Sequence, residues 1–519
     1  MDIVDINVNS HKYIPYDIKR HVCTSNNATH WIQLEVDNIN SINAEIVSNY
    51  LKFLDQRNIQ IIMKCIEQNI NIVPILYQLN NDDIKLLIIK SFEYVNIHML
   101  KILHDYVVDL ISHDKLIEYM INACKFDHIN VVKYLHKKIG LTNKDFQSCD
   151  NLACRLACEN GHINVVKYLH EEIGLSKEDF MSDNNHACKW ACYNEHVKVV
   201  KYLHVKVKLS KEEFQSVDNH TCICIHACEK GNINIVKYLH QEIGLTIGNF
   251  QLYNNYAFIR ACSNGYVNVV EYIHKKIGLT NKDFQSSNYA ACRSACENGH
   301  IDVVKYLHQE IGLTKENFQF RDNYACIWAC KNGHTVIVKY LHQDIGLTIK
   351  DFQSDDNLAC QSACHNGHVD VVKYLHQEVG LTIKDFQSCY NYACQWACRG
   401  GHIDVVKYLH EKIGLSREDF QSNNYEACKL ACKNGHIDVV KYLHQDIGFS
   451  REDFMLNDNE ACGLAYENGH LDVVKYLHKE IGLTKEDFQL NYAYLCAQDN
   501  NHNNVVEYLQ QEFNIFFHC

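Results

Sequence analysis

The stretch "ACENGHINVVKYLHEEIGL", residues 157–175, decides the fold because near copies of it fill most of the chain. Gly174 supplies a left-handed C-terminal cap to a helix formed by the second half of the stretch. The preceding residues 151–160, "NLACRLACEN", predict another helix, with a face of small side chains that permits close approach. The apolar side chains of the second half recur at the 3.6-residue period of one helix face. They are Val165, Val166, Leu169 and Ile173.

The stretch recurs every 34 residues. We mark each copy by its anchor, which is the first of the two adjacent apolar residues and is Val165 in the quoted copy. The spacing departs from 34 only at the steps to Ile235, which is 36, and to Val505, which is 32. A weaker copy has its anchor at Met99, and a decayed copy begins at Asn58. We therefore expect a divergent helical N-terminal region at residues 1–90, followed by about 12 to 13 repeats at residues 91–519. The anchors are Val131, Val165, Val199, Ile235, Val269, Val303, Ile337, Val371, Val405, Val439, Val473 and Val505.

The connector between repeats carries a helix signal of its own. Thr142 and Asp145 have the spacing of a capping box, and Phe146 follows them. The same pattern recurs at residues 176–180 and 416–420. It predicts a short helical turn whose phenylalanine holds the connector against the helix pair.

Composition and charge restrict the classes of protein and of partner. With 47% apolar and 22% charged residues, the chain has the composition of a folding protein. No apolar run reaches the roughly 18 residues of a membrane span, and the first residues lack a signal-peptide pattern. We expect a chain that works in the cytoplasm or nucleus, with its 26 cysteines as reduced thiols. A formal charge of −13 argues against a nucleic-acid partner.

The repeated pattern A-C-x-N-G-H-I-D-V-V-K-Y-L-H-x-x-I-G-L resembles the ankyrin repeat, A-A-x-x-G-H-x-x-V-V-x-L-L-L-x-x-G-A. This resemblance covers about four fifths of the chain and implies an all-α, ankyrin-like helical solenoid of stacked helix pairs with short helical connectors. Two departures are visible. The family's T-P-L-H opening is replaced by sequences such as "NLAC", and its β-hairpin tip is replaced by connectors such as "LTKEDFQ". With its bias toward Asn, Ile, Lys and Tyr, the chain resembles the ankyrin-repeat proteins of amoeba-infecting giant viruses. Any AT-rich genome would give the same bias, so a cellular origin is the alternative.

A tetratricopeptide array is the structural alternative, because its period is also 34 residues. Its Trp, Gly-Tyr and Pro landmarks do not align with this sequence, whose only prolines are Pro15 and Pro74. The ankyrin-like fold is therefore favoured.

The cysteines and histidines of each repeat have two possible roles. Cys154, Cys158 and His162 are residue types that bind zinc, but cysteine is also a small hydrophobic side chain that suits tight helix packing. In other repeats the position of Cys154 holds Met120 or Phe258, which a zinc site would not tolerate. We therefore expect packing cysteines, no metal and no cofactor.

Two histidines recur in nearly every repeat. His162 follows the turn glycine, where hydrogen bonding at the turn and the interface is the expected role. His170 flanks the apolar stripe, where we expect a half-buried spacer between repeats. Protonation of a buried imidazole is unfavourable, so some acid sensitivity follows.

The sequence contains no motif that indicates catalysis. A phosphate-binding glycine loop, a nucleophile elbow and an H-E-x-x-H zinc motif are all missing from it. Residues 1–90 are the one region where an unrecognised activity could lie, and they read as helices. We expect that the protein is not an enzyme.

Two positions vary between repeats while the core positions recur, and they predict a partner-binding surface. They lie nine and six residues before each anchor. We expect a protein partner, from a host cell if the chain is viral, no nucleic acid, no membrane, and a monomeric scaffold. Half-buried packing is the alternative role for the tryptophans, and recruitment of a host ubiquitin ligase or another enzyme through residues 1–90 is the alternative function. The candidate partner-binding residues are Trp190, Tyr193, Trp328, Lys331, Trp396, Arg399 and Lys433.

Overall fold

The computed structural model describes residues 81–215, 223–284, 286–488 and 496–513. The chain divides into two compact units, Met1–Ile223 and Cys224–Cys519. Throughout these described ranges the secondary structure is helical and contains no strand. Each unit is thus an all-α stack of helix pairs, as the ankyrin-like solenoid requires. The decayed copy at Asn58 lies outside the described residues.

Each complete repeat contains a connector helix of one turn, a first helix and a second helix. In one repeat of the second unit these are Lys315–Phe318, Phe320–Lys331 and Thr335–Gln343. The first helix buries its small face, and the second helix buries the paired apolar residues of the anchor. The buried side chains are Ala325, Cys326, Ala329 and Cys330 on the first helix and Ile337, Val338, Tyr340 and Leu341 on the second.

From the helix His113–Lys125 onward the helices follow this order, except that the connector and first helix are continuous in Arg417–Lys433 and Arg451–Glu467. In four repeats the second helix ends in a π-helical turn of five residues. In the first unit the helices are Asn81–Glu93, Ile97–Ile102, His104–Leu110, His113–Lys125, Ile129–Tyr134 with the π turn Leu135–Ile139, Asn143–Phe146, Ser148–Glu159, Ile163–Glu171, Lys177–Phe180, Ser182–Tyr193, Val197–Val205 and Lys211–Gln215. From Ile223 onward they are Ile223–Glu229, Ile233–Gln241, Ile247–Phe250, Leu252–Ser263, Val267–Tyr272 with Ile273–Ile277, Asn281–Phe284, Ser286–Glu297, Ile301–Gln309, Lys315–Phe318, Phe320–Lys331, Thr335–Gln343, Ile349–Phe352, Ser354–His365, Val369–Tyr374 with Leu375–Val379, Ile383–Phe386, Ser388–Arg399, Ile403–Tyr408 with Leu409–Ile413, Arg417–Lys433, Ile437–Gln445, Arg451–Glu467, Leu471–Lys479 and Asn503–Phe513.

The connectors confirm the predicted capping box and buried phenylalanine. The carboxylate of Asp351 accepts hydrogen bonds from the Thr348 backbone amide at 2.6 Å and from the Thr348 hydroxyl at 2.8 Å. Phe352, one residue further, is completely buried. The capping box therefore starts the one-turn helix, and the phenylalanine fixes it to the helix pair.

A run of left-handed residues follows the connector in many of the described repeats and was not predicted. Asp355, Asp356 and Asn357 have φ values of 51°, 53° and 66°. Left-handed backbone costs most residue types about 1–2 kcal/mol each, and Asn and Asp tolerate it best. These three residues lie at the start of the first helix Ser354–His365 and turn the chain at the place of the family's hairpin.

The cysteines that recur on the first helices are packing residues, as predicted. Cys154 and Cys158 are completely buried between the helices of their repeat. Burial raises the pKa of the Cys154 thiol well above its usual value, and it raises the pKa of Cys292 to about 12. Cys154 and Cys292 therefore remain neutral thiols at physiological pH and behave as small apolar side chains.

The predicted division at residue 90 falls inside the helix Asn81–Glu93. This helix buries Ile84 and Leu87, and the ring of Phe92 stacks on Tyr119 with 4.2 Å between centroids. Residues 81–93 are therefore packed as part of the first unit. The division into 1–90 and 91–519 stays a prediction.

Candidate partner-binding surface

In most repeats the histidine at the end of the second helix contacts a tyrosine of the next repeat. Nδ1 of His170 lies 2.9 Å from the hydroxyl of Tyr202, and that hydroxyl donates to Glu171 at 2.8 Å. Because the tyrosine proton goes to Glu171, Nδ1 of His170 is the donor. The half-buried spacer role predicted for this histidine is confirmed. The further pairs of this His–Tyr ladder, at 2.7 to 3.1 Å, are His136–Tyr168, His240–Tyr272, His274–Tyr306, His308–Tyr340, His342–Tyr374, His376–Tyr408, His410–Tyr442, His444–Tyr476 and His478–Tyr508.

The turn histidines form a second set of contacts between repeats. Nε2 of His334 donates to the backbone carbonyl of Glu297 at 2.8 Å, and its ring covers Gly299 of the preceding repeat. A Cβ atom at Gly299 would lie 2.7 Å from Cε1 of His334, so only glycine fits. The predicted hydrogen bonding at turn and interface is confirmed. The other such pairs, at 2.8 to 2.9 Å, are His162–Lys125, His402–His365, His436–Arg399, His470–Lys433 and His502–Glu467.

The connectors form a third set. Nε2 of Gln319 donates to Oδ1 of Asp351 in the next connector at 2.6 Å. Burial acts to raise the pKa of Asp351, but hydrogen bonds from Thr348 and Gln319 outweigh it and leave the pKa below its usual value. The equivalent pairs are Gln147–Asp179, Gln251–Asp283, Gln353–Asp385, Gln387–Asp419 and Gln421–Asp453.

The recurring polar residues form these three sets of contacts between repeats. The variable residues lie elsewhere, along one face of the first helices. The positions thirteen, nine and six residues before the anchor are spaced i, i+4 and i+7, so they share that face. We call these three positions in every repeat the first-helix stripe. In three of the repeats they are occupied by His186, Trp190 and Tyr193, by Tyr324, Trp328 and Lys331, and by Tyr392, Trp396 and Arg399.

The tryptophans of the stripe are neither core residues nor free of contacts. Trp190 is 38% exposed, and its ring lies against Tyr193 at 5.0 Å between centroids. Trp328 is half-buried, and Nζ of Lys331 lies 3.9 Å from its ring centroid. Each tryptophan thus packs on its own repeat and keeps part of its ring at the surface.

Trp396 also makes contact across repeats. Its ring stacks on Tyr392 at 5.7 Å and meets His365 of the preceding repeat edge-on at 4.5 Å between centroids. Tyr392 and His365 were not among the predicted site residues. The period of the first helix could have identified Tyr392, because it lies one turn before Trp396. His365 stood in the variable series, but nothing in the sequence indicated the ring contact.

The charged residues of the stripe fall into two classes. Glu159 and Glu229 are paired, with Nε2 of His186 at 3.2 Å and with Arg260 at 2.5 Å respectively. In contrast, within the part of the chain that the structure describes, the side chains of three cations have no carboxylate within ion-pairing distance. They are Lys331, Arg399 and Lys433.

The described residues contain no group of three or more His, Cys, Asp or Glu side chains that could hold a metal ion. None of the helices in the same ranges is both long and apolar enough to cross a membrane. Within each unit, the candidate site is therefore a row of aromatic and charged side chains on the first helices of stacked repeats.

Comparison with known proteins agrees with this architecture. The family model described as ankyrin repeats (3 copies) matches residues 120–212, 190–286, 292–386, 363–453 and 430–517. A search of curated proteins gave no significant match. Together the family matches span well over half of the chain, from the first complete repeats to the last. The chain belongs to the ankyrin repeat family.

Proposed function

We propose that the protein is a non-enzymatic scaffold that binds another protein through the first-helix stripe. The proposal rests on a contrast between two groups of polar side chains: those that bond between repeats and those that have no ion-pair partner. The recurring His, Tyr, Gln and Asp residues are used between repeats, whereas Lys331 and Arg399 carry unpaired charge beside half-buried tryptophans. Tryptophan and arginine are the residue types that most often carry interface energy.

The scaffold works as a monomer in the cytoplasm, and its partner is a protein of the host cell if the chain is viral, as the resemblance to giant-virus proteins implies. The partner contacts several repeats at once, because each repeat contributes only three side chains to the stripe. Such a surface gains affinity by adding contacts from neighbouring repeats.

The test is affinity capture with a variant of the stripe. Trp328, Lys331, Trp396 and Arg399 are changed together to alanine in the full chain. We expect captured partners to be lost while the melting temperature falls by only a few degrees, since half-buried side chains contribute less to stability than core ones.

Lys305 and Lys339 provide the control, because both are exposed on second helices. Each ammonium lies over a tyrosine ring of the next repeat, at 5.9 and 5.5 Å, so their change to alanine costs little. We expect this control to keep its partners. A quadruple variant that stays folded and keeps every partner would remove the stripe as the binding surface.

The alternative function is an adaptor that recruits a ubiquitin ligase or another enzyme through the N-terminal region. A truncated chain tests it, but the truncation should not be made at residue 90. Cutting there would break the helix Asn81–Glu93 and expose its buried face. Removal of residues 1–80 leaves that helix whole. Loss of an enzyme from the captured set in this truncated chain, with other partners retained, would favour the adaptor.

A further inference from the structure

One of the three positions of the stripe, six residues before the anchor, carries basic residues in a run of repeats although the chain as a whole is acidic. Four successive repeats of the second unit place Lys331, His365, Arg399 and Lys433 six residues before their anchors. The repeats on either side place Glu297 and Glu467 at the same position, in a chain of formal charge −13. The basic residues therefore form a block of four repeats that ends in acidic residues at both ends.

The block is continuous across its repeats. His365 touches Trp396, and its pKa is lowered by burial first and then by the charges of Arg399, His402 and Lys331. The neighbouring cations are thus close enough to act on one imidazole. We call Trp328, Lys331, His365, Trp396, Arg399 and Lys433 the basic-aromatic patch.

The backbone under the patch is held in place by the next repeat. The carbonyls of His365, Arg399 and Lys433 each accept a hydrogen bond from a turn histidine at 2.8 to 2.9 Å. The helices that carry the cations are therefore fixed relative to one another before a partner arrives. Such preorganisation reduces the entropy lost on binding.

We propose that the basic-aromatic patch binds an extended acidic peptide segment of a partner protein, with one carboxylate for each repeat of the block. Three of the carboxylates pair with the cations, and the fourth accepts a hydrogen bond from the imidazole of His365. This inference rests on the proposed function and specifies the partner's chemistry. The cations have no carboxylate partner among the described residues, so a bound carboxylate would pair without breaking an existing ion pair. The tryptophan rings would cover the apolar parts of the same segment.

The spacing of the block sets the spacing of the carboxylates. Packed helices lie about 8–10 Å apart, and an extended chain advances about 3.3 Å per residue. Successive cations are therefore matched by acidic residues about three positions apart in the partner.

A single-stranded nucleic acid is the competing ligand, because it also carries negative charge and stacks on aromatic rings. The block has only four basic positions, and Glu297 and Glu467 bound it at either end. A phosphate backbone that continued beyond the block would meet these carboxylates. A short peptide need not extend so far, so the acidic segment fits better.

The test uses the full chain and a fluorescent peptide of four Glu-Ser-Gly units, followed by anisotropy. The comparison ligands are the same peptide with Gln in place of Glu, a peptide with its four Glu residues adjacent, and a 12-nucleotide oligo-dT. We expect the Glu-Ser-Gly peptide to bind about tenfold or more tighter than the Gln peptide, as several exposed charge pairs together allow.

The variant Lys331→Glu, Arg399→Glu, Lys433→Glu should weaken binding of the Glu-Ser-Gly peptide by about tenfold or more. The matched control Lys305→Glu, Lys339→Glu, Lys407→Glu changes the net charge by the same amount on exposed second-helix positions. We expect it to alter the affinity by less than about threefold, as long-range effects between exposed charges are screened. Circular dichroism and the melting temperature establish that both variants are folded.

Several outcomes would overturn the inference. These are equal affinity for the Glu and Gln peptides, equal loss in the two charge variants, or tighter binding of oligo-dT that the patch variant abolishes. Equal affinity for the peptide with adjacent Glu residues would overturn the spacing of one carboxylate per repeat. The Glu peptide could fail to bind while the alanine variant of the stripe still loses its captured partners. That result would support the proposed scaffold function and reject the acidic peptide as the ligand.

Discussion

The contact between a turn glycine and the histidine of the next repeat gives a quantitative prediction at Gly299. Its φ is +83°, so Gly299→Ala places a Cβ in left-handed backbone, at a cost of about 1–2 kcal/mol. The new Cβ would also displace His334, whose hydrogen bond to the Glu297 carbonyl contributes about 0.5–1.5 kcal/mol. We expect a total loss of about 1.5–3.5 kcal/mol in the free energy of unfolding, measured by urea denaturation and circular dichroism.

Gly312 is the matched control, since its φ is +79° and a Cβ there would have no atom within 4 Å. Gly312→Ala should cost only the backbone strain, about 1–2 kcal/mol. In a double-mutant cycle, His334→Ala should relieve the extra cost of Gly299→Ala, with a coupling energy of about 0.5–1.5 kcal/mol. Equal losses for the two glycine variants, with no coupling to His334, would refute the close fit between glycine and ring.

Three further predictions concern titration, thiols and connectors. Burial lowers the pKa of His274 in the His–Tyr ladder below the 6.5 of an unfolded histidine. The folded state is therefore favoured most above pH 6.5 and loses stability as the pH falls and the imidazole is protonated. The melting temperature should drop between pH 7 and pH 5.5. Maleimide labelling read by mass spectrometry should modify the exposed Cys149 before buried thiols such as Cys292, which should react only on unfolding. Asp385→Ala should cost about 2–3 kcal/mol and Gln353→Ala only about 1 kcal/mol in urea denaturation, because Asp385 also accepts two hydrogen bonds from its own capping box.

Much of the fold could be predicted from the sequence, because each structural element has a local signal. The paired apolar residues, the capping box and the cap glycine repeat so often that chance variation in one copy does not hide them. The capping box at Thr348 and Asp351 and the buried Phe352 appear as the connector pattern requires. The small-residue faces and the packing cysteines followed from comparing copies.

The contacts between repeats could not be predicted in the same way. The hydrogen bond from His170 to Tyr202 joins residues 32 positions apart, and helix periodicity within one repeat contains no information on that distance. The left-handed run at residues 355–357 was also missed, since Asn and Asp are common in every kind of turn. For the same reason the sequence indicated the variable surface but not the ring contact between His365 and Trp396.

The most direct test of the account is photo-crosslinking from the first-helix stripe. Benzoylphenylalanine replaces Tyr392, a half-buried aromatic residue of the stripe, or Val336, which is 64% exposed on a second helix. Both chains are irradiated in cell extract, and the adducts are identified by mass spectrometry. We expect the same partner protein to crosslink from position 392 and not from position 336. A partner that crosslinks from position 336 alone would contradict the assignment of the stripe as the binding surface.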